Sequence, residues 1–309
     1  MKSKSIIITL FLIISFFTFF KCTEDNSDLF VVKEVAEGLD FPEGPAWDGK
    51  GNLFISNCYG GWIAEFNGTD LDTFTSKNQS HDLLNKTNGL ALGKDGNLYA
   101  CDYGIGAILR ITPARKVNTF IPGFNGQPFN RPNDIAFDSK GDLFFTDPKS
   151  YDPENRDGVV YRYTHEAGAL RPIIKGLAFP NGIAISADEK HLFVCESAMN
   201  RILKYTITGD TNFIEPEVFV VLPGGDPDGI AFDVKGNLYV AHFGTGTIFK
   251  IDPQGEIIRK IEMPGKKPTN LEFAGQDMRT LYITEVETNA LYQVKVDDPG
   301  LKLFYMPGE

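Results

Sequence analysis

Cysteine is scarce, four in 309 residues, and no two form a C-x-x-C pair. Cys58, Cys101 and Cys195 lie too far apart in the chain to suggest a disulfide framework, and nothing near them has zinc-ligand spacing. They read as small, buried apolar side chains. There is no G-x-S-x-G elbow and no H-E-x-x-H, so serine-hydrolase and zincin chemistry lack their signals. Positive charge is in deficit, 30 Lys and Arg against 41 Asp and Glu for a net −11, which argues against nucleic acid or anionic lipid as a partner. No segment is low in complexity, and no linker divides the chain. The longest apolar run, Ile6 to Phe20, is broken by Thr9, Ser15 and Thr18 and is short for a spanning helix.

That run follows a basic start, MKSK, and ends at Lys21-Cys22, the shape of a secretory signal over residues 1–22. Cys22 stands where a bacterial lipoprotein carries its lipid, and TEDNSD after it resembles a tether. Phe19-Phe20-Lys21 departs from the small-residue pattern expected before such a cysteine, so a cleaved signal and an uncleaved anchor stay open. In every case the expectation is an exported protein, facing the periplasm or cell surface as a lipoprotein and otherwise secreted or periplasmic, with membrane contact only through its N-terminus.

What the chain has in abundance is one repeated unit. Residues 224–252 read GGDPDGIAFDVKGNLYVAHFGTGTIFKID: three short alternating segments joined by Gly- and Asx-rich turns, the pattern of an antiparallel meander. The first strand recurs as EGPAWD, NGLALG, NDIAFD, NGIAIS, DGIAFD and TNLEFA, starting at 43, 88, 133, 181, 228 and 269. Each is followed by a Leu-aromatic strand: LFISN, LYACD, LFFTD, LFVCE, LYVAH and LYITE. Strand-built repeats of this length predict an all-β, six-bladed propeller over residues 37–299. Residues 23–36 would hold the tether and a strand, LFVVKEVA, that completes the last blade; the tail 300–309, with LKLFYM, competes for that place.

In a propeller the innermost strands run along the central axis, so a residue repeated at their start forms a small circle. Here the circle is Glu43, Asn88, Asn133, Asn181, Asp228 and Thr269, each carrying a side-chain oxygen. Calcium takes six to eight oxygen ligands, and two carboxylates balance its charge while amide oxygens and water fill the shell. A metal site on the axis is therefore expected. The competing reading is that Asn-Gly and Asp-Gly only mark turns. A second polar set, Asn57, Asp102, Asp147, Glu196, His242 and Glu285, ends the second strands. It is expected either to back the first circle or simply to meet solvent. His242 could be a base or substrate contact, or a structural residue.

With these motifs in place the chain resembles the senescence-marker-protein/gluconolactonase/regucalcin family of six-bladed propellers. The most specific pieces are FPEGPAWD (41–48), RPNDIAFDSKGDLFFTDP (131–148), PNGIAIS (180–186) and DPDGIAFD (226–233). Relatives in that family include lactonases and diisopropyl-fluorophosphatase-like phosphotriesterases. The resemblance implies one catalytic divalent cation, commonly calcium with magnesium, manganese or zinc as alternatives, held by Glu43, Asn133, Asn181 and Asp228. It implies substrate contact by Asn133 and Arg131, and Asn88 and His242 join them as candidates. The expected reaction is attack of water on a sugar lactone or similar small ester. Asp228 would be the general base or a direct nucleophile. FTDP resembles the bacterial gluconolactonase branch, while PKSYDPENRDG (148–158) matches no subfamily and leaves the substrate open. A non-enzymatic NHL-like propeller and a strictosidine-synthase-like enzyme are the alternatives.

Overall fold

Alternating apolar residues and tight Asx turns build the hairpins of this chain. Asp48 Oδ1 accepts the backbone N–H groups of Lys50, Gly51 and Asn52 at 2.7–2.9 Å, reversing the chain between two strands. Asp138 does the same for Lys140 and Asp142, and Asp233 for Lys235 and Asn237. Such side-chain capping of the turn is why an Asp follows the apolar run in three first strands.

The computed structural model describes residues 28–209, 212–214 and 216–302, and these form 24 strands with one short 3-10 turn at Ser197–Met199. The first strand is β1 (Val32–Ala36). Sheet one comprises β2 (Pro42–Trp47), β3 (Leu53–Asn57), β4 (Trp62–Phe66) and β5 (Leu71–Ser76). Sheet two is β6 (Thr87–Leu92), β7 (Leu98–Asp102), β8 (Ala107–Ile111) and β9 (Val117–Ile121). Sheet three is β10 (Ile135–Phe137), β11 (Leu143–Asp147), β12 (Gly158–Thr164) and β13 (Ala169–Leu177). Sheet four is β14 (Pro180–Ile185), β15 (His191–Glu196), β16 (Arg201–Thr206) and β17 (Glu217–Val221). Sheet five is β18 (Asp226–Phe232), β19 (Leu238–Phe243), β20 (Thr247–Ile251) and β21 (Ile257–Glu262). Sheet six joins β22 (Pro268–Ala274), β23 (Thr280–Glu285) and β24 (Ala290–Lys295) to β1. The six four-stranded sheets stand around one axis, a six-bladed propeller.

The core lies between neighbouring sheets. Ile55, Phe66, Tyr239, Phe273, Leu281 and Ile283 belong to one cluster that binds sheets five, six and one together. Inner strands are almost wholly buried, whereas β21 is mostly exposed, so outer strands carry charge at little cost.

Closure is made by β1, antiparallel to β24 with Val32 opposite Val294 and Glu34 opposite Tyr292. Across the same seam Thr269 Oγ1 donates to Pro42 O at 2.8 Å, and Phe41 N donates to Asn289 Oδ1 at 3.1 Å. The export segment 1–22, Cys22, residues 23–27 and the tail beyond Lys302 lie outside the described residues.

A chain starting at Glu37 should leave β24 as a bare edge and uncover the side chains on which Val32 and Val35 pack. Relative to a chain starting at Asp28, urea unfolding should show a loss on the order of 3 kcal/mol, with aggregation at high concentration.

Candidate active site at the axial mouth

The circle of first-position residues sits where each inner strand leaves its ladder. The pairing of the first two strands shifts register between Glu43 and Ala46, Thr87 and Leu90, Pro180 and Ile183, Pro227 and Ile230, and Pro268 and Asn270. Such irregularities bend a strand and re-aim its side chains. In sheet three Asn133 lies just ahead of β10, its N–H bonded to Thr146 O at 2.9 Å. The Asn-Gly and Asp-Gly pairs thus lie within inner strands, and the hairpin turns come later.

Glycine after the first position lets the strands crowd together. A methyl carbon on Gly89 would fall 2.6 Å from Asp134 Oδ1 and 2.7 Å from Asn133 O. In sheets three and six that place is taken by Asp134 and Asn270, whose side chains enter the channel below the circle.

All six first-position residues line one cavity of about 230 Å³ at the mouth, together with Arg131. Glu43, Asn88, Asn181, Asp228 and Thr269 are buried, Asn133 is half-buried, and Arg131 is exposed. Burial, and then the charge of Asp134, pushes the Glu43 carboxyl up to about 8. Burial and the charge of Glu43 push Asp228 well above its ordinary value, and burial lifts Asp134 to about 6. Glu43 Oε2 and Asn88 Oδ1 are buried acceptors without a hydrogen-bond donor in the protein. Two crowded carboxylates, amide oxygens and unmatched buried acceptors form a donor set that fits a hard divalent cation. Among the described residues no three His, Cys, Asp or Glu side chains gather as metal ligands, so the set depends on its amides.

The second polar set has a different task. All of its members are buried and none lines the cavity. Each instead grips the loop that leads into the inner strand of its own sheet. Asn57 Oδ1 accepts Asp40 N at 2.8 Å, and Asp102 accepts Asn85 N and Lys86 N at 2.7 and 3.0 Å. Asp147 accepts Arg131 N at 2.7 Å, Glu196 accepts Ala178 N at 2.8 Å, and Glu285 accepts Lys267 N at 2.7 Å. His242 is the variant: Nε2 meets Leu222 O at 3.0 Å and Nδ1 meets Thr245 Oγ1 at 2.7 Å. Its imidazole is fully enclosed and held below its usual pKa by burial. The structure therefore does not bring His242 to the cavity; fully enclosed and with both ring nitrogens engaged, it has no group to offer a substrate. These residues neither meet solvent nor back the circle directly; they set the height at which each circle residue enters the channel.

Two axial carboxylates were not singled out from the sequence. Asp134, whose Oδ2 accepts Ile183 N at 3.0 Å, replaces the usual glycine. Glu272 replaces the alanine found three residues after the first position in the other five repeats, Ala46, Ala91, Ala136, Ala184 and Ala231, which line the lower channel with it. Aligning the repeats and asking which copy breaks a small-residue column would have found both. Cys58, Cys101 and Cys195 are buried, with Cys58 at the cavity wall.

Residues 31–287 match the family model described as SMP-30/Gluconolactonase/LRE-like region. Lactonase drp35 of Staphylococcus saprophyticus is 33% identical over 85% of this chain and 85% of its own. Diisopropyl-fluorophosphatase of Loligo vulgaris is 27% identical over 88% of this chain and 94% of its own. The structure of a gluconolactonase from Xanthomonas campestris superposes with a TM-score of 0.75 at 26% identity, covering 86% of this chain and 89% of that one.

Glu285 accepts from Lys267 N, Thr288 N and Thr288 Oγ1 at 2.6–2.7 Å. Glu285→Ala should cost about 3 kcal/mol in urea unfolding by stranding these donors, with Glu285→Gln falling between it and the parent.

Proposed function

Because the chain belongs to the SMP-30/gluconolactonase/LRE-like family, we propose that it is a lactonase-type hydrolase whose reacting ester sits over the axial circle. The observation that carries this is the convergence of Glu43, Asn88, Asn133, Asn181 and Asp228 from five separate blades on one cavity. A scaffold propeller has no use for two buried carboxylates with unmatched acceptors beside them.

Glu43, Asn133, Asn181 and Asp228 would hold one divalent cation, and the oxygen-only donor set favours calcium. When bound it supplies charge stabilisation to the developing oxyanion of the ester. Arg131, exposed at the rim, orients the substrate's oxygens, and Asn88 and Asn133 offer amide hydrogen bonds to its ring. Asp228 takes the proton of the attacking water and gives it to the ring oxygen as the ester C–O bond breaks, leaving the open-chain hydroxy acid. The likeness to diisopropyl-fluorophosphatase supports placing organophosphates beside lactones in any substrate panel. The basic start and apolar run ahead of Cys22 support an exported enzyme tethered by lipid at that cysteine.

Asp228→Asn is isosteric and should keep the fold while lowering lactone kcat by about 1,000-fold or more, the range set by loss of a base and a charged ligand together. Proton-release assays on a lactone panel check this, and a variant at parental rate would remove Asp228 from the mechanism.

The pH dependence follows from Glu43. Its carboxyl rises from 4.5 to about 8 on folding, so the cation-free fold holds that proton more tightly than the unfolded chain. The associated stability is complete below 4.5 and is lost as pH climbs through about 8. A cation competes with the proton. Calcium should therefore raise Tm little at pH 5 and by about 5 °C or more at pH 8, an increment abolished by EDTA and by Glu43→Gln. Thermal melts across that range are the measurement.

A further inference from the structure

Above the circle lies a second one. Two residues ahead of the first position in each repeat stand Phe41, Lys86, Arg131, Phe179, Asp226 and Lys267. These side chains are exposed or half-buried where the circle beneath is mostly buried, and Phe41, Arg131, Phe179 and Asp226 line the mouth itself, with Lys86 and Lys267 on the rim just outside that lining.

Two opposite sides of the rim are aromatic. Phe41 and Phe179 both have left-handed backbones, φ 54 and 59, a conformation that bulky residues adopt only at a cost. Each is followed by the proline that starts its inner strand. The strained turn sets Phe41 against Tyr59, ring centroids 4.2 Å apart, and Phe179 against Tyr151 at 5.1 Å. Tyr59 and Tyr151 are more than half exposed, and all four rings line the cavity. Sheets one and four face each other across a six-bladed ring, so these pairs are walls on either side of the mouth.

Between the walls, on the side of sheets two and three, the rim is cationic. Lys86 Nζ lies 5.5 Å from the Tyr59 ring and 5.6 Å from the Tyr103 ring, and Arg131 lies 5.8 Å from Tyr103 on the same side. Among the described residues no carboxylate comes within ion-pair distance of Lys86, Arg131 or Lys267. In a chain with a net charge of −11, unpaired cations beside a mouth call for an anion from outside.

We propose that the substrate is a lactone bearing a second, anionic group, a carboxylate or phosphate, which Lys86 and Arg131 receive while its body lies between the Phe41 and Phe179 walls. This rests on the lactonase reading above, and it makes Lys86 a specificity residue. Both anions offer oxygens to an ammonium and a guanidinium, and the rim, two residues ahead of the circle in each repeat, suits a group other than the reacting ester.

The test compares matched substrates on the calcium-loaded enzyme. Kinetics on 6-phosphoglucono-δ-lactone against glucono-δ-lactone, and on glucaro-1,4-lactone against gulono-1,4-lactone, separate phosphate from carboxylate. In at least one pair kcat/KM for the charged member should exceed the neutral one by about tenfold, mostly through KM, and Lys86→Gln should erase the ratio. Isothermal titration with 6-phosphogluconate and with glucarate, each against gluconate, gives a readout independent of turnover, with a preference for at least one charged member and the same loss in Lys86→Gln. Equal or better use of the neutral lactones, or a ratio unchanged in Lys86→Gln, overturns the proposal. Should no lactone turn over while the titration shows the preference and its loss, the anion site stands and the lactonase reading is what fails. Absence of preference in the titration overturns the anion site whatever the kinetics show.

Discussion

Glu43, Asp134 and Asp228 are buried together at the axis, where their charges repel one another, and the remainder of the fold holds them there. Burial alone would drive such groups apart or keep them protonated, as the raised pKa values of all three record. Three devices oppose this. The closed ring of sheets leaves no strand free to swing outward. Gly44, Gly89, Gly182 and Gly229 let neighbouring inner strands approach closely at the level of the charges. Buried residues at the ends of the second strands then fix each incoming loop by its backbone. A cation at the circle would turn this stored repulsion into attraction, so the same arrangement that costs stability supplies affinity.

The division of labour within each repeat is consistent. Hairpin aspartates shape the lower turns, second-strand ends anchor the upper loops, and the inner strand alone presents groups to the channel. Only the last of these carries chemistry, yet its geometry depends on the other two. Positions at the first place of the inner strand are uniformly oxygen-bearing, whereas those two residues earlier range from phenyl to carboxylate, ammonium and guanidinium.

Much of this was legible before any coordinates, because the repeat period converts sequence position into angular position. The six blades and the convergence of Glu43, Asn88, Asn133, Asn181, Asp228 and Thr269 follow from spacing alone. Other features were not. That Asp102 or Glu285 is polar at a strand end is visible, but whether it points to the axis, to solvent or to a loop depends on strand pairing and on irregularities in register. His242 illustrates the limit: its chemistry suggests a base, while its neighbours Leu222 and Thr245 consume both ring nitrogens. The unusual backbones of Phe41 and Phe179 also leave no mark in composition, since a proline after an aromatic is compatible with many turns.

The pairing of β1 with β24 sets an order of events. Val32 lies in the first strand and Val294 in the last, so the sixth sheet cannot be finished until the other five have been made. Until β24 is in place β1 has no partner and the sixth sheet holds only β22 and β23, so both offer open edges, and Glu43, just downstream of β1, has no complete ring around it. A chain halted before β24 would thus leave the ring open and its edges adhesive, so β24 acts as the latch for β1.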